Sequence, residues 1–316
     1  MPPIYLHKHK DYKELIRAAA VEKGIAPDLV EKDYWIMHSL YGLKAQGYQF
    51  ELKGGTSLSK GFGIIHRFSE DIDIRIEPPE EPKVATGKNQ DKDQHCASRK
   101  AFYDQLAQDI AIDGIDEVVR DTAFDDSRYR SAGIRLKYSS FNPISQGVKD
   151  GVLLEVGFDT VTPNQQVSIS SWALDFAKTH KMPIIDNKVK NIACYEPRYT
   201  FVEKLQTIAT KFRNQQQQGS MPKNFMRHYY DIYCLLENQG VKSFIGTKAY
   251  QEHKQKRFPR ADIQIPIAEN EAFLLSNSET RKLYASNYQS TSALYYQKQP
   301  SFDELLARIQ SVISEL

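Results

Sequence analysis

Residues 53–60 read Lys53-Gly54-Gly55-Thr56-Ser57-Leu58-Ser59-Lys60, residues 61–70 follow as GFGIIHRFSE, and residues 71–76 are Asp71-Ile72-Asp73-Ile74-Arg75-Ile76. The last six alternate strictly, so a β-strand places Ile72, Ile74 and Ile76 on one face and Asp71, Asp73 and Arg75 on the other. Two carboxylates then project side by side, which like-charge repulsion disfavours unless a cation sits there. Upstream, Gly54-Gly55 predicts a turn opening a helix. Glycine lets the backbone approach a phosphate without a Cβ in the way, and Thr56 or Ser57 can donate a hydroxyl where a helix N-terminus favours an anion. Mg²⁺ takes oxygen ligands, usually one or two carboxylates plus phosphate oxygens. Asp71 and Asp73 below the glycine turn therefore make a workable site for a nucleoside triphosphate with Mg²⁺, or with Mn²⁺ in its place. Neither half says much alone, since a DxD is common on solvated strand ends and Gly-Gly is most often only a turn. The ordered combination, with Arg67 and Ser69 leading into Asp71, is the restrictive feature.

Working outward, DYKELIRAAAVEKGI from Asp11 has helical spacing at Leu15, Ile16, Ala19 and Ala20, with Gly24 as a stop. A second helix from Pro27 places Val30, Tyr34, Met37, His38 and Tyr41 three or four residues apart and closes at Gly47, with Trp35 a core residue. Tyr48 to Lys53 reads as a short strand. Residues 78–100 lack large apolar side chains and read as a long mobile surface loop, after which RKAFYDQLAQDIAI resumes helix. Ala132 to Tyr138 and Val152 to Phe158 have period two, and the link between them carries Pro143, Gly147 and Gly151, so a hairpin is the natural pairing. Glu155 falls on the polar face of the second strand. Were that strand beside Asp71 and Asp73, Glu155 would be a further metal ligand. Two ions could then be clamped, one activating an attacking oxygen and one stabilising the leaving pyrophosphate.

After Pro197 the pattern becomes helical. Thr200 and Glu203 have the form of a capping box, Gln215 to Gln218 reads as a loop, NFMRHYYDIYCLLENQG as one amphipathic helix with a glycine stop, and SFDELLARIQSVISEL as another helix. The expected architecture is α+β: a domain with a mixed sheet over residues 1–195 and a mainly helical domain over residues 196–316.

Composition narrows the classes of function. A chain of 316 residues, 41% hydrophobic and 26% charged, buries about three quarters of its unfolded surface, which excludes disorder and fibres. Lys plus Arg is 42 against 40 for Asp plus Glu, so any nucleic-acid surface is local. The basic clusters His7 to Lys10, Lys178 to Lys181, Lys188 with Lys190, and His253 to Arg257 are either solvated faces or parts of a phosphate-tracking surface for RNA. Cys96, Cys194 and Cys234 are widely separated, and no apolar run reaches membrane-spanning length. A cytoplasmic protein with no membrane partner is expected, with a monomer favoured.

KGGTSLSK, RFSEDIDI, VEKDYW, TFVEKL and RHYYDIY together resemble the nucleotidyltransferase AbiEii/AbiGii toxin family, related to the MenT toxins and more remotely to the polymerase-β-like nucleotidyltransferase fold. The resemblance spans Leu29 to Leu236. It implies a metal-dependent transfer of a nucleoside monophosphate from a triphosphate, with metal on Asp71 and Asp73, Gly55 and Thr56 at the family's Gly-Ser/Thr, Lys204 as the nucleotide-contacting lysine and Asp231 as the acidic residue of the last motif. It also implies a toxin of a bacterial toxin–antitoxin or phage-defence pair, a separate antitoxin, a helical domain closing the nucleotide cleft, and the 3′ end of tRNA as first acceptor. Two departures stand out: a long interval from Thr56 to Asp71, and Glu155 where many nucleotidyltransferases have Asp. From the residues themselves, Lys204 can equally be a solvated charge, Asp231 can pair with Arg227 one turn earlier, and Arg67 and Ser69 can either hold the Asp71 loop or touch phosphate. A small-molecule nucleotidyltransferase of the antibiotic-modifying kind, or a nucleotide-binding module without turnover, are the alternatives.

Overall fold

The computed structural model describes residues 3–143, 148–222 and 224–316. Gly147, invoked above for the hairpin link, lies outside the described residues. The chain divides into two compact units, Met1–Gly61 with Phe68–Tyr195, and Phe62–Arg67 with Glu196–Leu316. The chain therefore leaves the first unit between the glycine turn and the Asp71 strand, and returns.

The first unit is built on a seven-stranded mixed sheet: β1 Phe50–Lys53, β2 Asp71–Ile76, β3 Glu117–Arg120, β4 Ser131–Lys137, β5 Val152–Gly157, β6 Asn164–Ile169 and β7 Val189–Tyr195, in the order β3-β4-β5-β2-β1-β7-β6. The strand carrying the carboxylate pair is thus central, antiparallel to β1 and parallel to β5. Ile72, Ile74 and Ile76 are at most 1% exposed, as their alternation requires. β4 and β5 pair antiparallel, as the hairpin reading expects. Helices α1 Tyr12–Lys23 and α2 Pro27–Ala45 pack on each other, and α2 contacts β5 and β7. The glycine turn continues into a single helical turn α3, Gly54–Thr56, and then a π-helical turn over Ser57–Gly61.

Two expectations for this unit are corrected. The segment 78–100 is not loop throughout: helix α4 runs Asp93–Asp109, and Arg99 on it is buried because its guanidinium bonds the carbonyls of Ala85, Gln90 and Arg128. Helix α2 is not simply amphipathic. Its residues from Asp28 to Leu40 are all buried, including Glu31, Lys32 and Asp33. Near the C-terminal end of this unit lies the short helix α5, Trp172–Thr179, capped by Ser171.

In the second unit, α6 Pro197–Gln218 is the central helix, contacting α7 Arg227–Leu235, α8 Gln239–Phe244 and α9 Lys248–Arg257. Its start differs from the capping-box expectation. Proline pre-sets the first helical position, so α6 begins at Pro197, and Thr200 lies inside it with its hydroxyl donating to the Glu196 carbonyl. The glutamine run is helical too, because the stop is Gly219 in the left-handed region at φ 71°. NFMRHYYDIYCLLENQG is two helices rather than one: Asn238 caps α8, whose first turn contains Gly240. The core of this unit is aromatic, with Phe201, Tyr229, Tyr250, Phe273, Tyr284 and Phe302 at most 3% exposed.

Candidate active site

The registers bring the predicted carboxylates together. Asp73 on β2 pairs with Glu155 on β5 and with Lys53 on β1, so these three residues form one row across the sheet. Directly paired residues project from the same face, and Asp71, two residues earlier on β2, shares it. Asp71 is 6% exposed, while Asp73 and Glu155 are half-buried. Among the described residues no group of three or more His, Cys, Asp or Glu side chains is placed to hold a metal ion by itself. The oxygen donors of Asp71 and Asp73 nonetheless suit Mg²⁺, whose remaining ligands usually come from water and substrate phosphates.

Gly54 ties the turn to this row. Its φ is 74°, and a Cβ there would lie 2.2 Å from Asp73 Oδ2, so only glycine lets the backbone pass the carboxylate. Thr56 is committed elsewhere than the sequence suggests: its hydroxyl donates to the Asp71 carbonyl at 2.6 Å and joins the turn to β2. Ser57 is completely buried against the Cys194 thiol. Both hydroxyls point inward. Gly55 is buried within α3.

Three consecutive residues of α2 frame the site, a role that periodicity did not reveal. Glu31 accepts from the Ser140 hydroxyl, the Phe141 N–H and the Asn142 amide at 2.8, 3.3 and 2.9 Å. Lys32 donates to the Lys149 carbonyl and to Glu70. Asp33 pairs with Lys60 at the end of the glycine segment and accepts from the Trp172 N–H at 2.8 Å. Burial pushes the Asp33 carboxyl up and the Lys60 ammonium down, and their contact opposes both shifts. The available signal was VEKDYW itself: three charges in a row on a helix with no polar stripe to hold them all.

Lys149 was also missed. Its ammonium lies 2.9 Å from both oxygens of Asp71.

Lys204, Asp231 and Arg67 meet within the second unit. Asp231 has no exposed surface; it accepts from Arg67 Nε and Nη2, each at 2.8 Å, and its other contact is Lys204 Nζ at 2.9 Å. Burial would raise the Asp231 carboxyl, but the two cations outweigh it and hold the carboxyl well below the usual range. Arg67 is thus bound to Asp231, a partner the sequence did not suggest, and Asp231 finds its partners on other segments rather than in a pairing confined to its own helix. Ser69 is half-buried. His228 lies 3.4 Å from Lys204 and 3.3 Å from Lys211. Burial first, then the surrounding cations, push the imidazole well below its ordinary value, so at neutral pH it is uncharged and accepts from only one of the two amines.

The basic clusters are partly spent on carboxylates. His7 and Lys8 pair with Asp113, Lys178 with Asp186, and Arg257 with Glu203. A different cationic surface emerges in the first unit: a cavity of about 750 Å³ lined by Lys53, Arg75, Lys88, Arg99 and Arg130 against Asp126 and Asp159. Arg75 and Arg130 have carboxylate partners in Glu51 and Asp91. Lys53, the cross-strand neighbour of Asp73, joins the cavity to the carboxylate row.

The Gly-Gly turn is thus packed on the paired strand carboxylates. Residues 37–308 match the family described as Nucleotidyl transferase AbiEii toxin, Type IV TA system, and the chain belongs to that family. The match continues past Leu236, through a stretch in which no motif was recognised. A separate antitoxin is the partner that such a system implies. No curated protein matches the chain. Among solved structures, the chain is similar to an antigenic nucleotidyltransferase-like protein from Paracoccidioides brasiliensis, at 11% identity and a TM-score of 0.36, over 76% of this chain and 99% of that one. Among the described residues no helix is long and apolar enough to cross a membrane.

Proposed function

We propose that the protein is a metal-dependent nucleotidyltransferase that moves a nucleoside monophosphate from a triphosphate onto RNA, with the 3′ end of tRNA as its first acceptor. The observation that carries this reading is the row of Asp73 and Glu155 in register, with Asp71 two residues away and Gly54 packed against the Asp73 carboxylate. In this reaction an acceptor hydroxyl oxygen attacks the α-phosphorus, the bond to the β-phosphate breaks, and pyrophosphate leaves with the electron pair. Asp71 and Asp73 hold Mg²⁺ or Mn²⁺, with Glu155 as the additional carboxylate; bound there, the ion supplies charge neutralisation and Lewis acidity. The backbone of Gly54 and Gly55 receives phosphate. Lys204, whose side chain is 12% exposed and paired with Asp231, is the nucleotide-contacting lysine that the family resemblance implies.

The cationic cavity beside Lys53 supports an acceptor carrying phosphate. An aminoglycoside-like acceptor would instead call for an acidic pocket. In the cell we read the protein as a cytoplasmic toxin restrained by its antitoxin, in a pair of the kind that serves phage defence. The test is incubation with each of the four labelled nucleoside triphosphates, total RNA and Mg²⁺. Labelling of a tRNA-sized band by at least one nucleotide, lost in Asp73→Asn, is expected. Absence of RNA labelling with all four would overturn the acceptor assignment.

A further inference from the structure

The residue that sits on Asp71 belongs to none of the motifs that suggested the site. Lys149 Nζ is 2.9 Å from Asp71 Oδ1 and 2.9 Å from Oδ2, so it caps both oxygens of a carboxylate assigned above to metal. Its main chain is pinned from both sides. The Lys149 N–H donates to Glu70 Oε2 at 2.9 Å, and the Lys149 carbonyl accepts from Lys32. Glu70 and Lys32 are 5% and 2% exposed, so these anchors lie in the interior. What remains free to move is a flexible four-carbon stem ending in a point charge. Its ammonium also lies 5.0 Å from the Phe124 ring, and a quarter of the side chain is open to solvent.

We propose that Lys149 is a further residue of the transfer site: a resident cation that holds Asp71 until a divalent ion displaces it, and that then moves onto a phosphate of the incoming nucleotide. The proposal rests on the metal-dependent reading above. Its physical basis is competition. A divalent ion at Asp71 meets the repulsion of the ammonium unless that charge finds an anion elsewhere, and a triphosphate provides one. Lys149 thereby couples metal binding to nucleotide binding, so an empty site does not accumulate metal. The buried Lys32 and Glu70 are positioning residues for this arrangement, which gives VEKDYW and the residue before Asp71 a shared purpose.

The test is Mn²⁺ affinity, read by the electron paramagnetic resonance of free Mn²⁺ in the absence of nucleotide, on wild type, Lys149→Met and Lys149→Arg. Removing the charge is expected to tighten Mn²⁺ binding by on the order of tenfold, while Lys149→Arg stays close to wild type. With Mg²⁺ present, nucleotide binding by Lys149→Met is expected to weaken, because the ammonium that moves onto the phosphate is gone. Lys149→Gln serves if the Met variant does not fold. Equal Mn²⁺ affinity in wild type and the uncharged variants, or weaker binding in those variants, overturns this proposal alone. Absence of Mn²⁺ binding in every protein overturns both it and the metal-dependent reading.

Discussion

Replacing Asp231 with Asn tests whether this residue is the counter-ion that holds a cationic interior together. The carboxylate is wholly buried, accepts two hydrogen bonds from Arg67 at 2.8 Å and contacts Lys204 at 2.9 Å. Asn keeps the shape but removes the charge and replaces one accepting oxygen with an amide NH2 that faces groups able only to donate. Arg67, itself 2% exposed, would then be left without this counter-charge. Breaking a buried pair by removing one partner costs about 3–5 kcal/mol. Lys204→Met leaves the Arg67 contact intact and should cost less, about 1.5–3 kcal/mol. Urea unfolding at pH 7, followed by circular dichroism, measures both. The pH dependence has a definite sign. Asp231 has a folded pKa below its unfolded value, so its contribution is complete above the ordinary carboxylate range and disappears as pH falls through the folded value. The gap between wild type and Asp231→Asn should therefore be widest at neutral pH, begin to narrow below about pH 4 and close only as pH falls through the lower folded value. If Asp231→Asn lies within about 1 kcal/mol of wild type at pH 7, the counter-ion argument is wrong.

Three further outcomes are expected. Gly54→Ala should cost about 1–2 kcal/mol for the left-handed backbone alone and, by driving a Cβ into the Asp73 carboxylate, abolish transfer; an active, stable variant would contradict the close packing of turn and strand. Asp73→Asn should leave the unfolding midpoint almost unchanged while lowering nucleotide transfer at least a hundredfold, or about 2.7 kcal/mol in the barrier, as read from labelled-nucleotide incorporation. Lys60→Met and Asp33→Asn should each destabilise by about 3 kcal/mol. The Lys60→Met/Asp33→Asn double variant should lose clearly less than their sum, and strict additivity in a double-mutant cycle would show that the buried pair is not coupled.

Period-two alternation was enough to place Asp71 and Asp73 on a strand with three isoleucines behind them, because one buried face dictates every second residue. It likewise identified β4 and β5 as a hairpin and put Glu155 on the polar face. Glycine conformations supplied the turn at Gly54, and the assembled motifs indicated the family over most of the chain. Helix ends were less legible in the second unit. Pro197 and Gly219 overrode Thr200 and the glutamine run, since a fixed φ at one end and a left-handed cap at the other decide where a helix starts and stops.

Tertiary structure alone decided which charges meet. The pairing of β2 with β5 aligned Asp73 with Glu155, a register that no local pattern encodes. It also buried Glu31, Lys32 and Asp33 on one helix, gave Asp231 to Arg67 and Lys204, and brought Lys149 onto Asp71 from 78 residues away. Periodicity reports which face of an element is dry. The partner of a buried charge is set by Coulomb energy and hydrogen-bond geometry among segments distant in sequence, and only the folded chain brings those into range.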